Sequence, residues 1–369
     1  MISIISVFLL VYTLSFGIII FIGFFQQRVK ERSYEEVPFI DPEEIAVLVP
    51  FRNEENRVLP LLKSIKMLNV KPGKFIFIDD HSDDRGVEII KNELHGLNFE
   101  VVCLPSGCSG KKEALRYAIE EVNRSYILTM DADVVIPEDY FSRLMGLRDA
   151  DMYVLPAIMK ADKFMHYFYE VDLILVNAAN AGLAGLKRPI MASGANLFYR
   201  KYTFDRVDDL ASHAHAASGD DTYLLRDFRL NDCDVRLHTD PELGIYTETP
   251  QSFKEFIDQR LRWIGKTSDI RDHLSTTLAV VQSLLTLVFL VLCALLIIKG
   301  LWIFLLLLYL AKTGIDMVLF FPYFNRIGRM VTWCFIPLYE FFFPVYTLII
   351  LILMPIYKPQ WKGRKIYEN

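Results

Sequence analysis

Two kinds of apolar pattern run along this chain. Between residues 45 and 130, continuous apolar runs at 45–50, 74–78, 99–104 and 125–130 are separated by stretches in which apolar residues recur every three or four positions. A short continuous run suits a strand covered on both faces, and the three-to-four spacing suits a helix with one buried stripe. Leu59, Leu62, Ile65 and Leu68 make such a stripe in a helix expected to open at 51–55, and Ala114, Leu115, Ala118, Ile119 and Val122 make another. Strand and helix alternating four times predict a parallel sheet with helices on both faces. Further on the pattern is less regular, with strands expected at 151–155 and 234–239, a turn into a strand at 191–200, helices at 162–181 and 222–230, and an amphipathic helix at 252–264.

The second pattern is long and almost uncharged. Residues 1–25, 278–298, 301–323 and 332–357 each approach the roughly 20 helical residues that cross a hydrocarbon core of about 30 Å. The organisation expected is therefore an N-terminal anchor at 1–26, an α/β domain at 43–250, an interfacial helix at 251–275, and membrane segments at 276–298, 300–323 and 332–357. The first segment has no basic start and no small-residue cleavage site, and Arg28, Lys30 and Arg32 follow it. This predicts an uncleaved anchor that leaves the domain in the cytosol. The last segment then places Lys358, Lys362, Arg364 and Lys365 outside, against the positive-inside rule, and Pro337, Glu340 and Pro344 are expected to break it.

Composition agrees with this division. Of 369 residues 53% are apolar, an excess confined to the long runs, and the net charge of −5 without a basic tract argues against a nucleic-acid partner. Five cysteines without a C-x-x-C pair argue against a zinc site or disulfide framework and fit a reducing compartment.

The candidate chemistry sits where strands end. The expected strand ends carry Phe51-Arg52-Asn53-Glu54-Glu55, Asp79–Asp84, the Gly110-Lys111 turn and Asp131-Ala132-Asp133. Ligands of such sheets bind beyond the carboxyl ends of the strands, so all four clusters should face one edge. Two carboxylates one residue apart suit a divalent cation that also holds phosphates. Alone, the triplet is a weak signal, and an acidic turn is the default reading.

Taken in order, V-P-F-R-N-E-E (49–55), I-D-D-H-S-D-D (78–84), G-K-K-E-A-L (110–115), D-A-D (131–133), G-D-D (219–221) and Q-R-L-R-W (259–263) resemble the membrane-bound family 2 inverting glycosyltransferases. That branch holds cellulose, hyaluronan and poly-N-acetylglucosamine synthases and ceramide glucosyltransferases, and the resemblance spans about residues 45–275. It implies a GT-A (Rossmann-like) cytosolic domain with a mixed, mostly parallel sheet, plus transmembrane helices. It also implies Mg²⁺ or Mn²⁺ and a UDP-sugar donor.

Residue by residue, the resemblance implies that Asp131 and Asp133 hold the metal, and that Pro50, Phe51, Glu54, Asp79 and Asp80 line the nucleoside pocket, with Asp80 accepting from the uracil imide. Lys111 would lie near the phosphates, although a solvated surface lysine is the plain alternative; the role of Arg52 stays open. Asp221 would be the general base, with Asp220 next in line in place of the usual Glu, and Ser193 and Gly194 would face the acceptor. Gln259, Arg262 and Trp263, at i, i+3 and i+4, share a helical face that would present Arg262 to the diphosphate and Trp263 to the acceptor sugar. An interfacial helix uses Trp and Arg at headgroup level in any case. His213 and His215 lack a third ligand and suggest a gating loop.

The function expected is sugar transfer to a membrane-associated lipid or glycan acceptor at a bacterial inner membrane, with a homo-oligomer or a membrane partner open. A processive synthase extruding its polymer is the alternative, for which four helices are sparse. A catalytically silent nucleotide-sugar-binding regulator is a different class, disfavoured by the intact D-x-D, G-D-D and Q-x-x-R-W.

Overall fold

The computed structural model describes residues 2–33, 40–208, 219–269, 272–357, 360–361 and 364–365. The chain divides into two compact units, one made of Val29–Lys160, Met191–Glu248 and Gln360–Asn369, the other of Met1–Arg28, Ala161–Ile190 and Thr249–Pro359. The expected span 43–250 is thus shared between them, because Ala161–Ile190 clusters with the apolar helices.

Among the described residues, the two larger sheets of the first unit are built on ten strands: β1 (Ile45–Phe51), β2 (Lys74–Asp79), β3 (Phe99–Cys103), β4 (Tyr126–Met130), β5 (Val134–Val135), β6 (Met152–Val154), β7 (Ala157–Met159), β8 (Asn196–Arg200), β9 (Val235–Leu237) and β10 (Ile245–Thr247). Seven form one sheet in the order β3-β2-β1-β4-β8-β6-β9. The first four run parallel, β8 is antiparallel to both β4 and β6, and β9 is parallel to β6. Strands β5, β10 and β7 make a small second sheet. Every residue of β1 and of β4 is buried, as the unbroken apolar runs require of strands covered on both faces.

Helices Leu59–Met67, Gly86–Glu93 and Lys111–Glu121 connect the parallel strands. The first opens at Leu59, four to eight residues later than its sequence suggests. Pro60 lies in its first turn, where a missing N–H costs nothing. The polar residues before it bond sideways instead: Asn53, with φ 51°, donates its N–H to Ser82 Oγ at 3.0 Å and accepts from Asp83 N at 2.9 Å. One face of the sheet and the first two of these helices share a core in which Val47, Val49, Leu62, Ile65, Phe77 and Leu128 are fully buried.

Among the described residues four helices are long and apolar enough to cross a membrane, Ser3–Glu31, His273–Ile298, Trp302–Arg326 and Ile336–Leu353, and all but the end of the first lie in the second unit. The expected segment 332–357 is not one helix. A short turn, Met330–Trp333, stops before Phe335, and Pro337 sits in the first turn of the next helix, whose interior Pro344 does not interrupt. Glu340, costly in lipid unless paired, ion-pairs with Lys312. Lys312 also donates to Asp316 at 2.9 Å, and Tyr12 O–H donates to the other Asp316 oxygen at 2.6 Å.

Helix Phe164–Gly185 is mostly buried in this unit. It meets the π-helical stretch Ile18–Gly23 through glycines: a Cβ on Gly185 would fall on the Gly23 carbonyl, and one on Gly182 on the Ile19 carbonyl. Only residues without a side chain let two helix backbones approach so closely.

Candidate active site

Beyond the carboxyl ends of β1, β2 and β4 the loops of the first unit are tied together by their own polar groups. Asp80 N donates to Phe51 O at 2.9 Å, and Arg52 Nη1 returns a bond to Asp80 O at 2.7 Å. Asp79, the last residue of β2, accepts from Ser82 N at 3.0 Å and shapes the turn. The Asp80 side chain, 2% exposed, accepts the Gly110 N–H at 3.0 Å. His81 donates to Cys108 O at 3.0 Å, so the 79–84 and 105–110 loops are joined twice. Gly110 has φ 97°, a backbone that favours glycine, and it starts the helix Lys111–Glu121.

That helix carries Lys111 to the end of β4, where its Nζ donates to Asp131 Oδ1 at 2.5 Å. Asp133 has its own cation. Arg57 Nη1 lies 3.3 Å from Asp133 Oδ2, and Arg57 Nε lies 2.9 Å from the buried Glu54. Arg57 is held more firmly protonated than an ordinary arginine: burial alone would weaken its charge, but Glu54 and Asp133 outweigh it. Arg57 carries no motif signal and escaped the sequence reading. Its three-residue offset from Glu54 is the one hint.

A second polar group gathers at the start of β8. Gly194 N donates to Asp221 Oδ2 at 2.9 Å, and Asp221 Oδ1 accepts from Thr222 N at 2.7 Å. Asp221 therefore binds its own helix Asp220–Leu230 and also the Ser193-Gly194 loop. The side chain of Asp220 and the histidines at 213 and 215 lie outside the described residues.

Gln259, Arg262 and Trp263 belong to the second unit, on helix Phe253–Asp269. Arg260 between them is 4% exposed and ion-paired with Asp172.

Among the described residues no three His, Cys, Asp or Glu side chains form a ready ligand set. Two carboxylates at a strand end, with side-chain exposures of 40% for Asp131 and 24% for Asp133, do fit a hard divalent cation that draws its remaining ligands from phosphates and water.

Residues 46–208 match the family model for glycosyl transferase family 2. That stretch, under half of the chain, is a family 2 glycosyltransferase domain. Over 138 residues the chain is 29% identical to a poly-β-1,6-N-acetyl-D-glucosamine synthase of Staphylococcus epidermidis, covering 36% of this chain and 33% of that protein. The enzyme of the same name in Staphylococcus aureus strain MSSA476 is 28% identical over the same length. The match thus spans about a third of those relatives. A mannosyltransferase from Pyrobaculum calidifontis, solved with GDP-Man and Mn²⁺, superposes with a TM-score of 0.62 at 15% identity, covering 96% of this chain and 99% of that one. The family 2 domain and its apolar helices therefore share a fold with that structure: a GT-A-like α/β unit with a mixed, mostly parallel sheet and membrane-capable helices.

Proposed function

We propose that the protein is an inverting, metal-dependent sugar transferase that takes its sugar from a nucleoside diphosphate, UDP by resemblance, and passes it to a lipid or glycan acceptor at the cytosolic membrane face. The observation that carries this is the pairing of two carboxylates with two cations at one strand end, Asp131 with Lys111 and Asp133 with Arg57. A bound metal–diphosphate has both charges to match. Asp131 and Asp133 would hold the Mg²⁺ or Mn²⁺, which neutralises charge developing on the leaving diphosphate. Lys111 and Arg57, released from the carboxylates, would turn to the phosphate oxygens.

The nucleoside would lie over Pro50, Phe51, Glu54, Asp79 and Asp80, where the loops are already bonded to one another and little ordering remains to be done. Asp221 would accept the proton of the attacking hydroxyl. Each of its oxygens already takes a backbone N–H, which fixes the carboxylate's orientation, and a carboxylate oxygen has a second acceptor direction. The same bond puts Gly194, and Ser193 beside it, next to the base, as an acceptor contact requires.

The relatives named as poly-N-acetylglucosamine synthases support a second reading, processive polymer synthesis, for the same residues. Incubating the full chain in membranes with labelled UDP-glucose, UDP-N-acetylglucosamine, UDP-galactose and GDP-mannose, then separating lipid from polymer products, distinguishes the acceptors. Asp221→Asn should lower turnover about 10²- to 10⁴-fold while donor binding persists. Nucleoside diphosphate release that is unchanged in this variant would overturn the mechanism, and no release from any donor would overturn the function.

A further inference from the structure

The helix Phe253–Asp269 holds the Gln259-Arg260-Leu261-Arg262-Trp263 segment, and its buried charge is not one of the three motif residues. Arg260 is 4% exposed, so it has almost no surface to offer a substrate. A guanidinium buried this far must be compensated. Its ion-pair partner is Asp172, also 4% exposed, from the helix Phe164–Gly185. The other Asp172 oxygen accepts the Tyr339 O–H at 2.6 Å, from the helix Ile336–Leu353. The guanidinium carbon stands 4.2 Å from the Trp263 ring centroid and 4.8 Å from that of Phe256. Arg260 thus has one ring a turn before it and one a turn after it, and Asp172 fixes where its plane lies.

We infer that Asp172 and Tyr339 are positioning residues for Trp263: they hold Arg260, and Arg260 holds the indole. The inference rests on the proposed sugar transfer and on the role the family resemblance implies for Trp263, contact with the acceptor sugar. Two features favour a positioning task over simple adhesion. Buried ion pairs add little net stability compared with apolar residues of similar volume, so a buried charge here is poorly explained as glue. A planar guanidinium both pairs with a carboxylate and lies over a ring, and so passes the orientation of one to the other, which an ammonium or an apolar chain does not do. Tyr339 extends the chain of contacts to a helix long and apolar enough to span a membrane, so the set of the indole depends on how that helix is seated.

The test uses the full chain, purified in lipid nanodiscs, with Asp172→Asn, Arg260→Met, Arg260→Lys and Tyr339→Phe. Steady-state transfer is measured against acceptor and donor separately. The Trp263 contribution to fluorescence is taken as the difference from Trp263→Phe, one of only 4 tryptophans in the chain. Asp172→Asn and Arg260→Met should cut kcat/KM for the acceptor about 10²-fold, the size of effect a misplacement near 1 Å produces, and should shift the Trp263 emission. Arg260→Lys should recover part of the rate, and Tyr339→Phe should show a weaker loss of the same kind. Folded Asp172→Asn and Arg260→Met proteins with unaltered Trp263 emission and full transfer, beside an inactive Trp263→Ala, would overturn the positioning role alone. A rate loss with unchanged emission would also overturn it, since that is what a purely structural role produces. A fully active Trp263→Ala would instead remove the functional reading beneath it. If Arg260→Met does not fold, Tyr339→Phe decides, because it removes one donor and no volume.

Discussion

Asn196 is a polar side chain with no exposed surface at the first position of β8, two residues after the Ser193-Gly194 loop. Its Nδ2 donates to Pro156 O at 2.8 Å and Leu243 O at 2.9 Å, and its Oδ1 accepts the Tyr140 O–H at 2.5 Å. Burial pushes the Tyr140 phenol well above its ordinary pKa, so it stays a donor at every pH the protein meets. Replacing Asn196 with leucine strands the Leu243 carbonyl and the Tyr140 hydroxyl, each costing about 1–3 kcal/mol, while Pro156 O keeps the Ile245 N–H at 3.0 Å. We expect Asn196→Leu to destabilise the chain by about 2 kcal/mol or more, read as a lower melting temperature in detergent. An unchanged midpoint would show that the two groups find other partners. The sequence marks Asn196 only as part of a turn into a strand. The place of Asp131 and Asp133 just beyond a strand end is legible at this scale, because it follows from the apolar run before them. Arg57 is not, since its partner Asp133 lies 76 positions away.

At the scale of elements, the helix that continues past its expected end shows most. Apolar periodicity places it at 162–181, and the structure runs it over Phe164–Gly185. The added turn brings Gly182 and Gly185 against Ile18–Gly23. We expect Gly185→Ala to cost about 1–3 kcal/mol, as overpacking does, because a backbone carbonyl cannot swing aside. Gly314→Ala is the control: it lies inside the helix Trp302–Arg326 with open space where its Cβ would go, and should be neutral or stabilising by up to about 1 kcal/mol. Equal melting temperatures for the two variants would mean that the glycine contact is not made. The sequence shows that small residues are present there. It does not show which helix they admit.

Across the whole molecule, the apolar helices of the second unit are joined by a buried charged group. Lys312, Asp316, Glu340 and Tyr12 come from three of the four candidate spans. Removing the one cation leaves two carboxylates facing each other in an apolar setting. Lys312→Met should therefore cost about 3–5 kcal/mol, the usual penalty for breaking a buried pair, and should reduce the yield of monodisperse protein. Pairing it with Glu340→Gln and Asp316→Asn removes the stranded charge and should restore much of that yield. If Lys312→Met behaves like the wild type, the two carboxylates are neutral without it.

What could be known from the residues in order was local or periodic. The alternation of strands and helices, the lengths of the uncharged runs, and the carboxylates one residue apart at a strand end follow from backbone geometry acting over about 20 residues at most. What needed the folded chain was who meets whom. That Asp133 holds Arg57, that Tyr12 reaches Asp316 from 304 positions away, and that Ala161–Ile190 clusters with the apolar helices all depend on packing between distant segments. No periodicity encodes such pairings. A charged side chain states only that it needs a partner, and burial selects which one.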